Sequence, residues 1–273
     1  MPYKVLDIYK DLPRTNCGDC GKGGCFAFAS AVYLEGLALE ACPHLAPALK
    51  ESMEARLETG RAQGEGRRPE STEQALGFLL GKVRGADFQG LGADSGAAYQ
   101  PGPPEALELS FLGTPHRVTR DDVAALEGEA PTIWVKIFLL IYVTRATGAA
   151  AAGEWVSYRS LPNTVSKAKS FDAVGEKLGH TFEERLGELD QAARRLGGEP
   201  TSFGSADRGY LFQALPRVRL LLLFWDRQEG FPARVSLLLD KGILDYLDQE
   251  AIVFLAEAFG NRLLGKGLGE LAA

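Results

Sequence analysis

Cys17, Cys20, Cys25 and Cys42 are the only cysteines in the 273-residue chain, and their spacing is Cys-x2-Cys-x4-Cys-x16-Cys. Three thiols in a glycine-rich loop, followed by a fourth from a short excursion of the chain, can surround a cubane iron–sulfur cluster. The spacing therefore predicts a [4Fe–4S] cluster as cofactor, with these four residues as both its metal ligands and its binding residues.

Zinc, disulfide bonds and chance are the alternatives to a cluster. Structural zinc sites usually combine two close cysteine pairs, whereas the second and third gaps here are 4 and 16 residues and form no second pair. Disulfides belong to oxidising compartments, and the N-terminal sequence Met1–Lys4 does not lead into the apolar segment of a signal peptide. We therefore expect a cytoplasmic protein, and an exposed cluster would favour a low-oxygen habitat.

Composition narrows the classes of partner. Lys and Arg total 30 against 36 Asp and Glu, a net charge of −6, which argues against a nucleic-acid partner. The longest apolar run, 133–143, is shorter than the roughly 20 residues of a membrane span. With 45% hydrophobic residues, the chain has enough apolar material for a real core.

The gap between the third and fourth cysteines sets a geometric condition. The residues after Cys25 favour a helix, and a straight helix from Cys25 to Cys42 would separate the two by about 25 Å. Both cannot then bind one cluster, so the chain must reverse, and Glu35-Gly36 is the expected place because glycine commonly follows a helix end. The gap is long enough for a helix and an extended return.

The rest of the sequence predicts an α+β fold: a small helical [4Fe–4S] domain at 1–59, a linker at 60–72 and a larger mixed α+β domain at 73–273. We expect a loose stretch between residue 82 and Pro104. The expected helices are 48–57, 73–82 capped by Thr72, 132–146, 182–196, 243–247 and 251–264, the last two capped by Asp240 and Asp248. The expected strands are 107–111 with 116–118, 155–158, and 218–225 with 233–239.

Other residues could carry chemistry, but each also has a simpler structural interpretation. His44 could donate to a cluster sulfur or be a solvated turn residue, and Asp226 with Glu229 could be an acid–base pair or hairpin residues. The further candidates are His116 and His180, each alone on its segment, Asp207-Arg208 and Arg217/Arg219 as anion contacts, and Trp155, Tyr158 and Trp225 as core aromatics. The sequence has no phosphate loop, Ser-His-Asp set or HExxH motif, so no catalytic residue is predicted.

The cysteine motif resembles the four-cysteine [4Fe–4S] domain of the corrinoid iron–sulfur protein large subunit and of the B subunit of Rnf-type electron-transport complexes. The resemblance covers about residues 10–48 and is carried by the cysteine spacing, Thr15-Asn16, Gly18, Gly21 and Cys42-Pro43. It implies one low-potential cluster that passes single electrons, in one case toward a cobalamin. It also implies the ligand role for Cys17, Cys20, Cys25 and Cys42.

Residues of about 75–265 resemble an uncharacterised prokaryotic domain that is often fused to such a cluster module, and this resemblance implies no activity. It is carried by Gly153-x-Trp155-Val156-Ser157-Tyr158-Arg159, Ala214-Leu215-Pro216-Arg217-Val218, Trp225-Asp226, Phe231-Pro232-Ala233 and Leu239-Asp240.

The sequence therefore predicts an electron-transfer or redox-coupling protein rather than an enzyme. Its partner would be a redox protein, with a corrinoid protein or another low-potential acceptor as candidates. In the alternative, the cluster is structural or sensory and the C-terminal domain binds a protein or a ligand. A third alternative is an enzyme confined to the second domain, for which the sequence offers no catalytic set.

Overall fold

The computed structural model describes residues 4–34, 37–62 and 68–268 of the chain. It divides into two compact units, residues 1–75 and 76–273. The predicted linker at 60–72 overlaps the ends of two helices, one reaching Ala62 and one starting at Arg68, and residues 63–67 lie outside the described part.

The first unit is helical and holds all four cysteines. Helix α1 is Val5–Asp11, α2 is Cys25–Leu34 and α3 is Pro47–Ala62, with a 3-10 turn at Leu39–Ala41. The predicted helix start at Cys25 is confirmed, as is the helix after residue 46, where proline occupies the first helical position that suits its missing N–H. The predicted reversal at Glu35-Gly36 falls outside the described residues.

The core of the first unit is small, and two of its members are cysteines. It consists of Ile8, Leu12, Cys25, Phe28, Ala29, Val32, Leu39, Cys42, Leu45, Met53 and Leu57. The packing of this core therefore also fixes the positions of two of the four thiols.

The second unit contains helices and two antiparallel sheets, which confirms the α+β class. The helices are α4 (Arg68–Arg84, which spans the division), α5 (Phe88–Ser95), α6 (Ile133–Arg145), α7 (Ala168–Phe182), α8 (Leu186–Arg195) and α9 (Gln249–Leu263). The strands are β1 (Ala98–Gln100), β2 (Ala106–Phe111), β3 (Thr114–Thr119), β4 (Val123–Ala125), β5 (Trp155–Ser157), β6 (Glu199–Pro200), β7 (Arg208–Leu215), β8 (Val218–Trp225) and β9 (Arg234–Asp240).

The first sheet has the order β1-β2-β3-β4 and the second has the order β5-β9-β8-β7-β6. The predicted hairpin of 107–111 with 116–118 is confirmed, since β2 and β3 pair antiparallel with Leu107 opposite Val118. Strand β8 is central and largely buried, as its apolar run predicts, and it pairs with β9 in the register Leu222↔Leu237. The sheets meet where the Leu112 N–H donates to the Ala214 carbonyl, 2.9 Å.

Helix α6 lies at the centre of the second unit. The Phe138 ring lies 4.7 Å from Phe111 on β2 and 5.0 Å from Phe254 on α9, between ring centroids. The buried Tyr142 hydroxyl donates to the Ser95 carbonyl and accepts from the Arg217 backbone N–H at 3.0 Å. One phenol therefore joins three segments of the chain.

Three sequence predictions for this unit are wrong. Thr72 lies inside α4 rather than capping a helix, and the predicted loose stretch before Pro104 contains α5, whose first turn is capped by Asp87 accepting from the Gln89 N–H at 3.1 Å. The predicted helix at 182–196 is instead the end of α7 followed by α8. By contrast, the two predicted aspartate caps are confirmed. Asp240 accepts from the Gly242 N–H at the start of a 3-10 helix, Lys241–Asp245, and Asp248 accepts from the Ala251 N–H at the start of α9, each at 2.9 Å.

We expect the substitution Tyr142→Phe to lower the free energy of unfolding of the second unit by about 1–3 kcal/mol, because it leaves a buried N–H without its acceptor. Denaturant titration followed by tryptophan fluorescence measures this, since Trp134, Trp155 and Trp225 all lie in this unit. The matched control is Tyr99→Phe, whose half-buried hydroxyl donates to Glu105 at 2.8 Å and where water can replace the bond. Equal losses in both variants would contradict the linking role.

Candidate metal centre

Three local features place the four cysteines. Cys17 and Cys20 lie on the loop that precedes α2, Cys25 is the first residue of α2, and Cys42 follows the 3-10 turn. Gly18, between the first two cysteines, has φ 82°, a left-handed conformation that a residue with a side chain adopts only at a cost. The loop can therefore turn back on itself within the first cysteine pair.

The structure brings all four predicted ligands to one small pocket. The lining residues are Leu12, Pro13, Thr15, Cys17, Gly18, Cys20, Gly24, Cys25, Phe28 and Cys42. Apart from the Thr15 side chain and backbone groups, the thiols are the polar groups of this lining. A soft, all-sulfur donor set in apolar surroundings fits an iron–sulfur cluster better than a hard cation that prefers oxygen ligands.

The four thiols differ in their exposure to solvent. Cys25 and Cys42 are buried, 8% and 7% exposed, and belong to the core of the first unit. Cys17 is exposed and Cys20 is intermediate. The pocket therefore has an inner side made by two core residues and an outer side at the protein surface.

Asn16 is a functional candidate that cannot be recognised as one from its sequence context alone. Its side-chain Oδ1 accepts from the Cys25 backbone N–H at 2.8 Å, and its own backbone N–H donates to the Cys25 Sγ at 3.4 Å. The side chain therefore satisfies an N–H at the start of α2, as an N-cap does, while the backbone stabilises negative charge on the sulfur. Asn16 has φ 52°, a conformation that asparagine tolerates better than most residues.

Gly24 is required by this arrangement. A Cβ at residue 24 would lie 3.0 Å from the Asn16 Oδ1, and its φ of 147° is unfavourable for a residue with a side chain. In the sequence, the one feature that points to Asn16 is its position directly before the first cysteine. An ordinary helix cap lies next to the helix it caps, whereas Asn16 lies nine positions before Cys25, so the cap cannot be recognised from local sequence.

His44, Asp19 and Cys17 form a polar group at the outer rim. The His44 Nε2 lies 2.6 Å from the Asp19 Oδ2, and both side chains are exposed. Hydrogen bonds from His44 and then from Cys17 hold the pKa of the Asp19 carboxyl below its usual range. The sulfur, carboxylate and imidazole donors lie within 4.8 Å of one another, a donor set that could also attract zinc.

The other candidates are separate from this pocket and have structural partners. Asp226 accepts from the Glu184 backbone N–H in the connection after β8, and the Arg217 guanidinium donates to the Ala93 carbonyl at 3.1 Å. Arg219 lies over the Trp155 ring at 5.8 Å, and His180 is exposed. The remaining placements are Arg208 with Asp190, Glu229 exposed in the β8–β9 connection, Tyr158 buried, Trp225 half-buried and His116 buried.

Comparison with known families gives each part of the chain a separate match. Residues 12–44 match the family model described as "Putative Fe-S cluster". Residues 87–262 match the model described as "Domain of unknown function (DUF3786)". The first match covers the loop, α2 and all four cysteines, and the second covers most of the second unit.

Three curated relatives share the cysteine region. The chain is 42% identical over 55 residues to the corrinoid/iron-sulfur protein large subunit of Moorella thermoacetica, a match that covers 20% of this chain and 12% of that protein. It is 35% identical over 54 residues to the acetyl-CoA decarbonylase/synthase complex subunit gamma of Methanothermobacter thermautotrophicus, covering 20% and 12%. For the same subunit of Methanocaldococcus jannaschii it is 45% identical over 47 residues, covering 16% and 10%.

The match therefore spans about an eighth of the length of the first two relatives. No solved structure matches the chain. Among the described residues, no helix is long and apolar enough to cross a membrane.

The cysteine pocket and the match over residues 12–44 define the class as an iron–sulfur protein. The chain belongs to the DUF3786 family, because the match over residues 87–262 covers more than half of its length.

Substituting Asn16→Ala tests the cap on α2. We expect the opening free energy of the first turn of α2 to fall by about 1 kcal/mol, which corresponds to roughly five-fold faster amide hydrogen exchange. Hydrogen-exchange mass spectrometry of the anaerobically purified chain measures it.

The matched control is Asn163→Ala, since Asn163 is exposed, has φ 59° and lies in the second unit. It reproduces the cost of a left-handed alanine but leaves α2 unchanged. If exchange in α2 is the same in Asn16→Ala and the wild type, Asn16 does not cap the helix.

Proposed function

We propose that Cys17, Cys20, Cys25 and Cys42 bind one [4Fe–4S] cluster and that the protein passes single electrons to a partner protein. The observation that carries this proposal is that all four thiols line one pocket, although the fourth is separated from the others by a helix and a return. When bound, the cluster supplies a one-electron redox couple. The relatives' names support the same chemistry, since one is an iron-sulfur protein subunit.

The chain's own residues would bind the cluster and control its surroundings. Leu12 and Phe28 lie on the buried side of the pocket and exclude water from it, which raises the strength of every electrostatic interaction there. The Asn16 N–H donates toward the Cys25 sulfur, and such a bond favours the more reduced, more negative state of a cluster.

The partner would approach the outer rim. Cys17 is the exposed thiol, so the cluster edge beside it would be nearest to a docked protein. The relatives are named as subunits, in two cases of a complex, which supports a protein partner for this chain. A corrinoid protein is one candidate acceptor, and another low-potential protein is the alternative.

A structural role is the second candidate function, because Cys25 and Cys42 belong to the core of the first unit. A unit of 75 residues with so small a core gains stability from a bound metal group, as small metal-binding domains do. Binding of a cluster and transfer of its electrons therefore need separate tests.

The first test is composition. Protein purified without oxygen should hold about four iron and four sulfide per chain, and Cys42→Ala should lose most of both, because three thiols do not close the site. His44→Gln is the control, since it changes the rim next to Cys42 without removing a proposed ligand. Zinc in place of iron, or full iron content in Cys42→Ala, would refute the ligand assignment.

The second test is redox activity. Titration of the anaerobic protein with a low-potential reductant should produce an EPR signal from about one unpaired electron per cluster, and reoxidation should remove it. If the cluster cannot be reduced but its removal lowers the unfolding temperature of the first unit, the structural role is the correct one.

A further inference from the structure

A second cleft lies wholly within the second unit and has no part in the proposed cluster chemistry. It has a volume of about 420 Å³ and is formed by the start of β3, the loop 127–132, the start of α6, and the end of α9 with residues 267–268. This volume is in the lower part of the range of small-molecule sites, about 300–1,000 Å³. The cleft is therefore large enough for a small metabolite.

Two residues of the lining each carry one buried polar side-chain atom that has no hydrogen-bond partner in the described part of the chain. These atoms are the Thr132 Oγ1 and the Arg262 Nε. Native proteins pair nearly all buried polar atoms, so an exception requires an explanation, and a ligand that is bound in use is one of them. Arg262 supplies a guanidinium, the side chain best suited to a carboxylate or phosphate.

His116 adds a third polar group to the same cleft. It is 1% exposed, and its Nδ1 lies 2.8 Å from the Thr114 carbonyl oxygen. A carbonyl can only accept, so Nδ1 carries the proton and Nε2 keeps a lone pair that can accept a hydrogen bond. Burial lowers the pKa of His116, so the ring is neutral at pH 7.

The N-terminus of α6 also faces this cleft. Thr132 is the N-cap residue, but its side chain makes no capping hydrogen bond, and Val135 in the first turn is part of the lining. The first N–H groups of a helix have no intrahelical acceptor and attract an anionic group. Together with Arg262 and the Thr132 hydroxyl, they make the inner wall a donor site for one acidic group.

The rim has the opposite charge. Glu127 and Glu129 belong to the lining and are exposed. Two carboxylates at the mouth oppose a ligand with several negative charges and favour one whose outer end is cationic. The cleft therefore separates a donor-rich inner wall from an acidic entrance.

We propose that this cleft binds a small zwitterionic metabolite, with a carboxylate or phosphate held by Arg262, Thr132 and the start of α6, and an ammonium group toward Glu127 and Glu129. The neutral His116 accepts a hydrogen bond from the ligand. An amino acid and a phosphorylated amino alcohol both have this chemistry. The site does not depend on the cluster, so either proposal can fail alone.

The test is a binding titration on the full-length, anaerobically purified chain. Binding is detected by calorimetry and by the fluorescence of Trp134, which lies on α6 two residues after Thr132. The probes are the common amino acids and phosphoethanolamine, each beside its N-acetyl counterpart, with acetate and inorganic phosphate as acids that lack an ammonium group. At least one zwitterion should bind at least ten-fold more tightly than its N-acetyl form. If the tight-binding zwitterion is an amino acid, the acidic group that the cleft recognises is a carboxylate. If it is phosphoethanolamine, the acidic group is a phosphate.

Two variants connect the binding to the cleft. Arg262→Gln should weaken the best probe at least ten-fold, whereas Arg195→Gln, an exposed arginine on α8 outside the cleft, should leave it unchanged. Thr132→Val should weaken the probe while leaving the unfolding temperature of the free protein unchanged or higher, because the hydroxyl it removes makes no hydrogen bond.

Three results would each overturn the proposal. The first is that no probe binds at millimolar concentration. The second is that inorganic phosphate, acetate or the N-acetyl forms bind as tightly as the zwitterions. The third is that affinity is unchanged in both Arg262→Gln and Thr132→Val.

Discussion

Four thiols must meet at one pocket, and this requirement determines the path of the first 45 residues. Cys25 opens α2 and Cys42 follows the 3-10 turn after it, so the chain leaves and returns within one short excursion. Thiolates at close quarters repel one another unless a metal compensates their charge, and metal binding is then coupled to folding. Because Cys25 and Cys42 are also core residues, on the proposed ligation the stability of this unit and the occupancy of its site cannot be varied independently.

The core of the second unit, unlike that of the first, does not include cysteines. It is dominated by the aliphatic strand β8 and by aromatic contacts around α6 and α9. Such a core requires no metal to hold it together. The chain therefore contains two units of different kinds. The structure of the first depends on the proposed redox group, whereas the core of the second does not include that group.

The sequence predicts the parts of this fold in which local pattern and burial agree. The apolar runs of α6 and β8 and the aspartate caps of the C-terminal helices are examples. Helix α7 is not apparent from the sequence, because glycines such as Gly175 and Gly179 are typical of breaks in a helix. In the structure they allow close packing on β9 and on the residue before it. A Cβ at residue 175 would lie 3.2 Å from the Val235 carbonyl oxygen, and one at residue 179 would lie 3.1 Å from the Ala233 carbonyl oxygen. A glycine that serves a tertiary contact cannot be distinguished from a breaker by sequence alone.

The two sites also differ in how far each can be predicted from the sequence. The cysteine site is legible in the sequence because its ligands are of one rare type and close along the chain, although the contact of Asp19 with His44 is not. The cleft is assembled by the fold from His116, Thr132 and Arg262, which are common residues on three distant segments. A buried polar atom without a partner opposes folding, so Thr132 and Arg262 lower the stability of the free protein. The second unit has a far larger core than the first, and such a core can tolerate that loss.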